Sequence, residues 1–173
     1  AVVAPEALAT SEITGSATDI VTAIGSITYD PNVTLTITGT TPATIVELMM
    51  INAAPSGNFT LNAATNAQNY DDTMANFAAA FDGITSYAGR LNISDTGTVL
   101  ATDLTNISKL TSGTTTATTP ALVTGSSVEI VSAIGSVGLS NNVTLVISGN
   151  TAATIAELVT IMDTTTGAVV LNS

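Results

Sequence analysis

Residues 33–48 read VTLTITGTTPATIVEL, and residues 143–158 read VTLVISGNTAATIAEL. The two lines differ at a minority of positions and lie 110 residues apart in a chain of 173. Within each, Val, Leu and Ile alternate with Thr, a period-two pattern that predicts a strand with one apolar face, and the later Ile and Leu fall at helical spacing. An internal repeat is therefore the first fact about the fold.

Working outward, Gly15–Asn62 aligns with Gly125–Asn172 without a gap and with about half of the positions identical. A third, degenerate copy lies between them. Leu91, Ile93, Asp103, Leu104, Ile107 and Gly113 fall where Leu35, Ile37, Glu47, Leu48, Ile51 and Gly57 fall. The period is about 55 residues. The chain divides into a partial copy at 1–14, a repeat at 15–70, the degenerate repeat at 71–124 and a repeat at 125–173. It is expected to begin inside a repeat and to come from a longer array.

Each copy contains two strand-like and two helix-like pieces. Near 16–26, Ile20, Val21 and Ile24 share a helical face, and Ser16 with Asp19, echoed by Ser126 with Glu129, has the spacing of a capping box. Thr41 followed by Pro42 predicts a second helix opening, since Pro suits the first helical position; Ile45, Leu48, Met49 and Ile51 line that helix. Gly57 closes the connection to a second strand, and corresponding strands begin near Arg90, Gly113, Val143 and Gly167. Strands spaced about 23 to 33 residues apart with a helix in each gap predict right-handed βα crossovers and a parallel sheet. A compact three-layer α/β domain and a solenoid both satisfy this spacing. The gapless repeat and the one-sided strands favour the solenoid: βα units with a parallel sheet, helices along one side, and one sheet face wet.

Composition limits the chemistry. There is no Cys and no His, which removes disulfides, thiolate nucleophiles, imidazole bases and the commonest zinc ligands. Thirteen acidic residues face only Arg90 and Lys109, a net charge of −11 that repels nucleic acid and anionic membrane. No apolar run is long enough to span a bilayer, so no membrane insertion is expected, and no basic leader with an apolar centre opens the sequence. Aromatics are 3% and Trp is absent, so an aliphatic core is expected. About one residue in five is Thr.

Candidate sites follow from what remains. The one adjacent carboxylate pair, Asp71–Asp72, aligns with the helix-opening Gly15–Ser16 and reads as a cap rather than a general acid and base. Lys109, late in a helix, complements its dipole. No catalytic residue and no cofactor is expected. Calcium is the one candidate ion, at Asp30 and Asn32 in the DPN loop or at Asp95 in SDTGT, although neither loop has EF-hand spacing and an Asx turn explains both. The outward strand positions Thr34, Thr36, Thr38, Thr60, Asn62, Asn92, Ser94, Thr114, Thr116, Thr118, Thr144 and Ser148 predict a hydroxyl and amide face. Such a face suits a glycan or another periodic ligand; alternatively Thr serves there as a soluble strand former.

The pattern ITGSATDIVTAI, VTLTITGTTPATIVELMMI and GNFTLN resembles the Thr/Ala-rich repeats of very large secreted surface proteins of aquatic bacteria, cyanobacteria especially, and of some phage structural proteins. The resemblance covers nearly the whole chain. A likeness to leucine-rich-repeat horseshoes is architectural only, since their asparagine consensus is missing. The resemblance implies a non-enzymatic structural module of an extracellular or cell-surface protein, acting as a stalk, surface-layer or adhesin element. Its expected partners are further copies of the repeat or neighbouring subunits end to end. Glycan or host-surface binding through the Thr/Asn face, and a self-assembling filament or viral fibre subunit, are the alternatives.

Overall fold

The computed structural model describes residues 12–54 and 58–172; most of the expected partial copy and the turn glycine Gly57 lie outside them. The described chain runs β1 (Glu12–Gly15), α1 (Ala17–Ser26), β2 (Thr34–Ile37), α2 (Ile45–Asn52), β3 (Asn58–Thr60), α3 (Ala63–Ala67), β4 (Tyr70–Asp72), α4 (Met74–Phe81), β5 (Leu91–Ile93) and β6 (Gly97–Leu100). It continues through α5 (Ala101–Ser108), β7 (Thr115–Ala117), β8 (Pro120–Gly125), α6 (Ser127–Ser136), β9 (Val137–Leu139), β10 (Thr144–Ile147), α7 (Ile155–Thr164) and β11 (Val169–Leu171). The protein is mixed α/β, with three parallel sheets and seven helices among the described residues and no closed barrel.

The sheets are ordered β1-β2-β3, β4-β5-β7-β9 and β6-β8-β10-β11. A single sheet is the expectation from the strand spacing; the chain instead turns corners that the hydropathy pattern does not register. Between β5 and β6 it bends at Gly97, whose φ of +91° favours glycine. Thr118 and Thr119 separate β7 from β8, where Pro120 opens the strand. A strand on each side of a corner presents its N–H and C=O groups to a different neighbour, so each side builds its own ladder.

Register explains the repeat. Ile13 lies opposite Leu35, and Leu35 opposite Phe59; their counterparts Val123, Leu145 and Val169 are paired in the same way. Equivalent aliphatic residues thus stand in equivalent rungs, and Leu35, Val123 and Leu145 are fully buried. The helices contact in the order α1, α2, α4, α5, α6, α7. Their inward residues Ile20, Leu48, Ile51, Leu104, Ile130 and Ile161 have no exposure. Burying such a side chain contributes about 1.5–3 kcal/mol each.

The second helix opens later than Thr41–Pro42 predicts. Thr44 caps α2: its hydroxyl accepts from Glu47 N at 3.2 Å, and the Glu47 carboxylate accepts from Thr44 N at 2.8 Å. This reciprocal box satisfies two free donors where a Thr-Pro start satisfies fewer. It recurs at Thr154–Glu157 and at Ser126–Glu129. At Ser16 the backbone half is made, by Asp19 N, while the shorter Asp19 carboxylate takes the Ser16 hydroxyl.

The aliphatic core also has an exception. Tyr70, Phe77, Phe81 and Tyr87 gather where the second sheet begins, in β4, α4 and the connection to β5, with Phe81 and Tyr87 ring centroids 4.3 Å apart. There α3 has five residues and β4 three, too few to fill the interior with small side chains, and rings supply the volume.

Candidate functional site

The twelve polar residues expected on one wet face lie on or beside three sheets. Thr34, Thr36 and Thr60 belong to the first, Asn92 and Thr116 to the second, Thr144 to the third. Thr38, Ser94, Thr114, Thr118 and Ser148 flank strands. Within the first sheet Thr14, Thr36 and Thr60 share a rung, and Thr36 Oγ1 donates to Glu12 Oε1 at 3.0 Å. Across the second, Asn92 Nδ2 donates to Asp71 Oδ1 and Thr116 Oγ1 to Asn92 Oδ1. These groups satisfy one another along the stack. In the third sheet the equivalent rung is Leu100, Thr124, Val146 and Val170, and the polar row ends.

Asn62 is the clear departure from the expected face: it is buried. It caps α3, accepting from Thr65 N at 2.7 Å, while its Nδ2 donates to the carbonyls of Thr38, Gly39 and Thr41. A turn that exposes three carbonyls beside the core needs a donor there, and strand alternation has ended by residue 62. Thr115, between the two outward positions 114 and 116, points inward, and its hydroxyl has no partner.

In both calcium loops the aspartate accepts from a backbone N–H, one local and one from a distant segment. Asp30 Oδ1 accepts from Asn32 N at 2.8 Å, an Asx turn, and Asp95 Oδ2 accepts from Met74 N at 2.7 Å at the start of α4. Among the described residues no three acidic side chains cluster to hold a metal. The Asp71–Asp72 pair lies in β4, one residue ahead of the true cap. Thr73 caps α4, and Asp72 Oδ1 accepts from Thr73 N and Asn76 Nδ2. The sequence alignment places the cap one residue early: β1 and β8 end at Gly15 and Gly125, directly ahead of the caps Ser16 and Ser126, whereas β4 runs through Asp72, the residue aligned with Ser16, and the cap moves to Thr73. Lys109 closes α5, as expected, with Nζ 3.4 Å from Asn106 Oδ1.

Two recurrent devices escape periodicity analysis. The first joins neighbouring helices: the Thr18 hydroxyl donates to Glu47 Oε1 at 2.6 Å, and the Ser127 hydroxyl to Glu157 Oε2 at 3.0 Å. The Thr18 bond, then the Thr44 backbone, holds the Glu47 carboxyl below its ordinary range. The Thr154 backbone, then Ser127, does the same for Glu157. The second device is a Thr-X-Gly turn before a strand. Thr111 Oγ1 donates to Gly89 O and accepts from Gly113 N; Thr165 Oγ1 donates to Val143 O and accepts from Gly167 N. A Cβ on Gly113 or Gly167 would lie 2.4 Å from a backbone oxygen of the preceding rung. The sequence signal was the repeated TSG and TTG.

A cleft of about 440 Å³ opens beside α7 and β11, lined by Ile147, Ala153, Leu158, Leu171 and Asn172 with the turn at 149–152. Its counterpart beside α2 is filled by the chain. Thr65 Oγ1 accepts from Ala43 N at 2.9 Å, and the Tyr70 hydroxyl donates to Ala43 O at 2.5 Å. Burial first, then the nearby Glu47 charge, raises the Tyr70 phenol well above its ordinary value. Among the described residues no helix is long and apolar enough to cross a membrane. The chain matches no protein-family model, and comparisons with curated proteins and with solved structures return no significant match.

Proposed function

We propose that this chain is a non-enzymatic structural repeat module, a solenoid segment of an extracellular or cell-surface protein that serves as stalk, surface-layer or adhesin element. The observation that carries the reading is the register: equivalent residues of the two well-kept copies occupy equivalent rungs of parallel ladders, and the helices other than α3 contact one another in chain order. In such a stack each unit is shielded by its neighbours, so the array bears load along its axis without a reactive centre. The acidic, hydroxyl-rich exterior keeps it dispersed. The absence of Cys and His and the use of acids as helix caps support a non-catalytic role. The extracellular placement rests on the Thr/Ala-rich resemblance.

Two measurements test the reading. Native-state hydrogen exchange should show protection graded along the chain, highest between α4 and α6 and lowest at α7 and β11, because units coupled only to neighbours open from the ends. Uniform protection from one cooperative globule would refute the solenoid. Antibodies against the chain should label intact cells of the native source; labelling confined to permeabilised cells would remove the surface role.

A further inference from the structure

We propose that the cleft and bare apolar face of α7 and β11 form a docking socket for one further helix–strand–helix unit with the chemistry of residues 63–81. The inference rests on the repeat reading above and names the partner of its C-terminal face. The argument is internal to the molecule. Ile45 on α2 is 7% exposed beneath α4, whereas the same residue on α7, Ile155, is 81% exposed. Leu61 and Asn62 follow β3 inward; their counterparts Leu171 and Asn172 are exposed, Leu171 at 65%. Every element of the socket that Thr65 and Tyr70 occupy in the first copy is kept in the second: the alanine whose backbone they bond (Ala153), the turn glycine (Gly149) and the capping asparagine (Asn172).

The occupant follows from this match. It must bring a hydroxyl to Ala153 N, a phenol to Ala153 O and a helix with an apolar face over Ile155, because those are the groups the first copy receives from α3, β4 and α4. A glycan would leave Ile155 and Val159 wet, and a second α7–β11 face would bring two sets of unmet backbone groups together. Of these occupants, only the helix–strand–helix unit satisfies both the polar and the apolar half of the socket.

The test is a graft. A second copy of residues 63–90 is placed directly after Asn172 in the full chain, and exchange of the α7 amides is followed by mass spectrometry. The expected result is slowing of exchange on the order of tenfold or more as the helix is covered, with loss of most of that slowing when the appended copy carries Tyr70→Phe together with Thr65→Val. An appended segment that leaves α7 exchange unchanged overturns the proposal, whether it stays unfolded or settles elsewhere. So does a concentration-dependent dimer of the parent chain that Ile155→Asp abolishes, since a second copy would then be the occupant. Ile45→Asp in the parent separates the two readings: it should deprotect α2 and α4, and if it does not, the equivalence of the copies fails before the socket is tested.

Discussion

The repeats at 15–62 and 125–172 are nearly the same sentence in two settings. In the first, α2 lies between α1 and α4, and the turn at 38–41 is closed by the Asn62 amide. In the second, α7 has α6 on one side and, among the described residues, no helix packed on the other. Much of the local structure is shared nonetheless: the same capping box, the same parallel register, and a hydroxyl-to-carboxylate bridge to the preceding helix, made by Thr18 in the first copy and by Ser127, the counterpart of Ala17, in the second. Caps and strand pairing are therefore properties of one unit and its predecessor, whereas the burial of Ile45 belongs to its successor. A residue's energetic weight here is set by the neighbouring unit rather than by its own sequence context.

The sharpest way to break the comparison is one substitution made twice. Ile45→Asp buries a carboxylate under α4 and should cost roughly 3 kcal/mol or more, while Ile155→Asp sits in solvent and should stay within about 0.5 kcal/mol. Equal losses in denaturant unfolding would mean that α7 is covered after all. Next, Gly113→Ala forces a Cβ against Ala88 O in the middle of a ladder and should cost about 2 kcal/mol, since β7 is flanked on both sides and cannot yield. Gly167→Ala has the same clash ahead of β11, a strand at the sheet edge that can shift outward, and should cost less than about 1 kcal/mol.

The Tyr70 closure gives a pH test. Burial raises the phenols of Tyr70 and Tyr87 in the folded chain, with Tyr70 as the lesser influence on Tyr87. The folded form therefore keeps protons that the unfolded chain sheds above about pH 10. Their contribution is complete below that pH and is lost as pH climbs toward the raised folded values, so unfolding midpoints should begin to fall above about pH 10 and keep falling as the pH is raised further. Tyr70→Phe should flatten the slope and, at neutral pH, cost about 1 kcal/mol for the bond to Ala43 O. The smallest contrast concerns the caps. Thr44→Ala and Thr154→Ala should each lose about 1 kcal/mol, and similar losses would sharpen the claim that caps are indifferent to the covering unit. The Glu47 carboxyl, held low, contributes stability that is present above its unfolded pKa and lost as pH falls through the folded value.

Much of this was legible in the sequence. The repeat, the α/β class, parallel pairing and the faces of α1 and α2 follow from period and spacing, which report on one element at a time. The division into three sheets did not, because a corner such as Thr118–Thr119 looks like any polar pause in a Thr-rich chain. The polar face was half legible. Thr36 and Thr116 do point away from the core, but alternation cannot say where a strand stops, and so Asn62 was placed outside when it closes the preceding turn. The sequence assigns the stretch at 63–87 partly to the first repeat, at 15–70, and partly to the degenerate copy, at 71–124. Its aromatic cluster and the Tyr70 hydroxyl to Ala43 mark a joint, and the departures from the repeat are what the joint requires.

By itself, the sequence determined the unit: which residues alternate, which face is greasy, and that the unit recurs. Those are short-range matters, fixed by backbone hydrogen bonding and side-chain period within about a dozen residues. Only the tertiary structure decided which copies are covered, how the strands divide among sheets, and that Thr65 and Tyr70 fill the socket beside α2. Burial and ladder pairing depend on chain segments more than twenty residues away, so two related stretches with the same local pattern end in different surroundings.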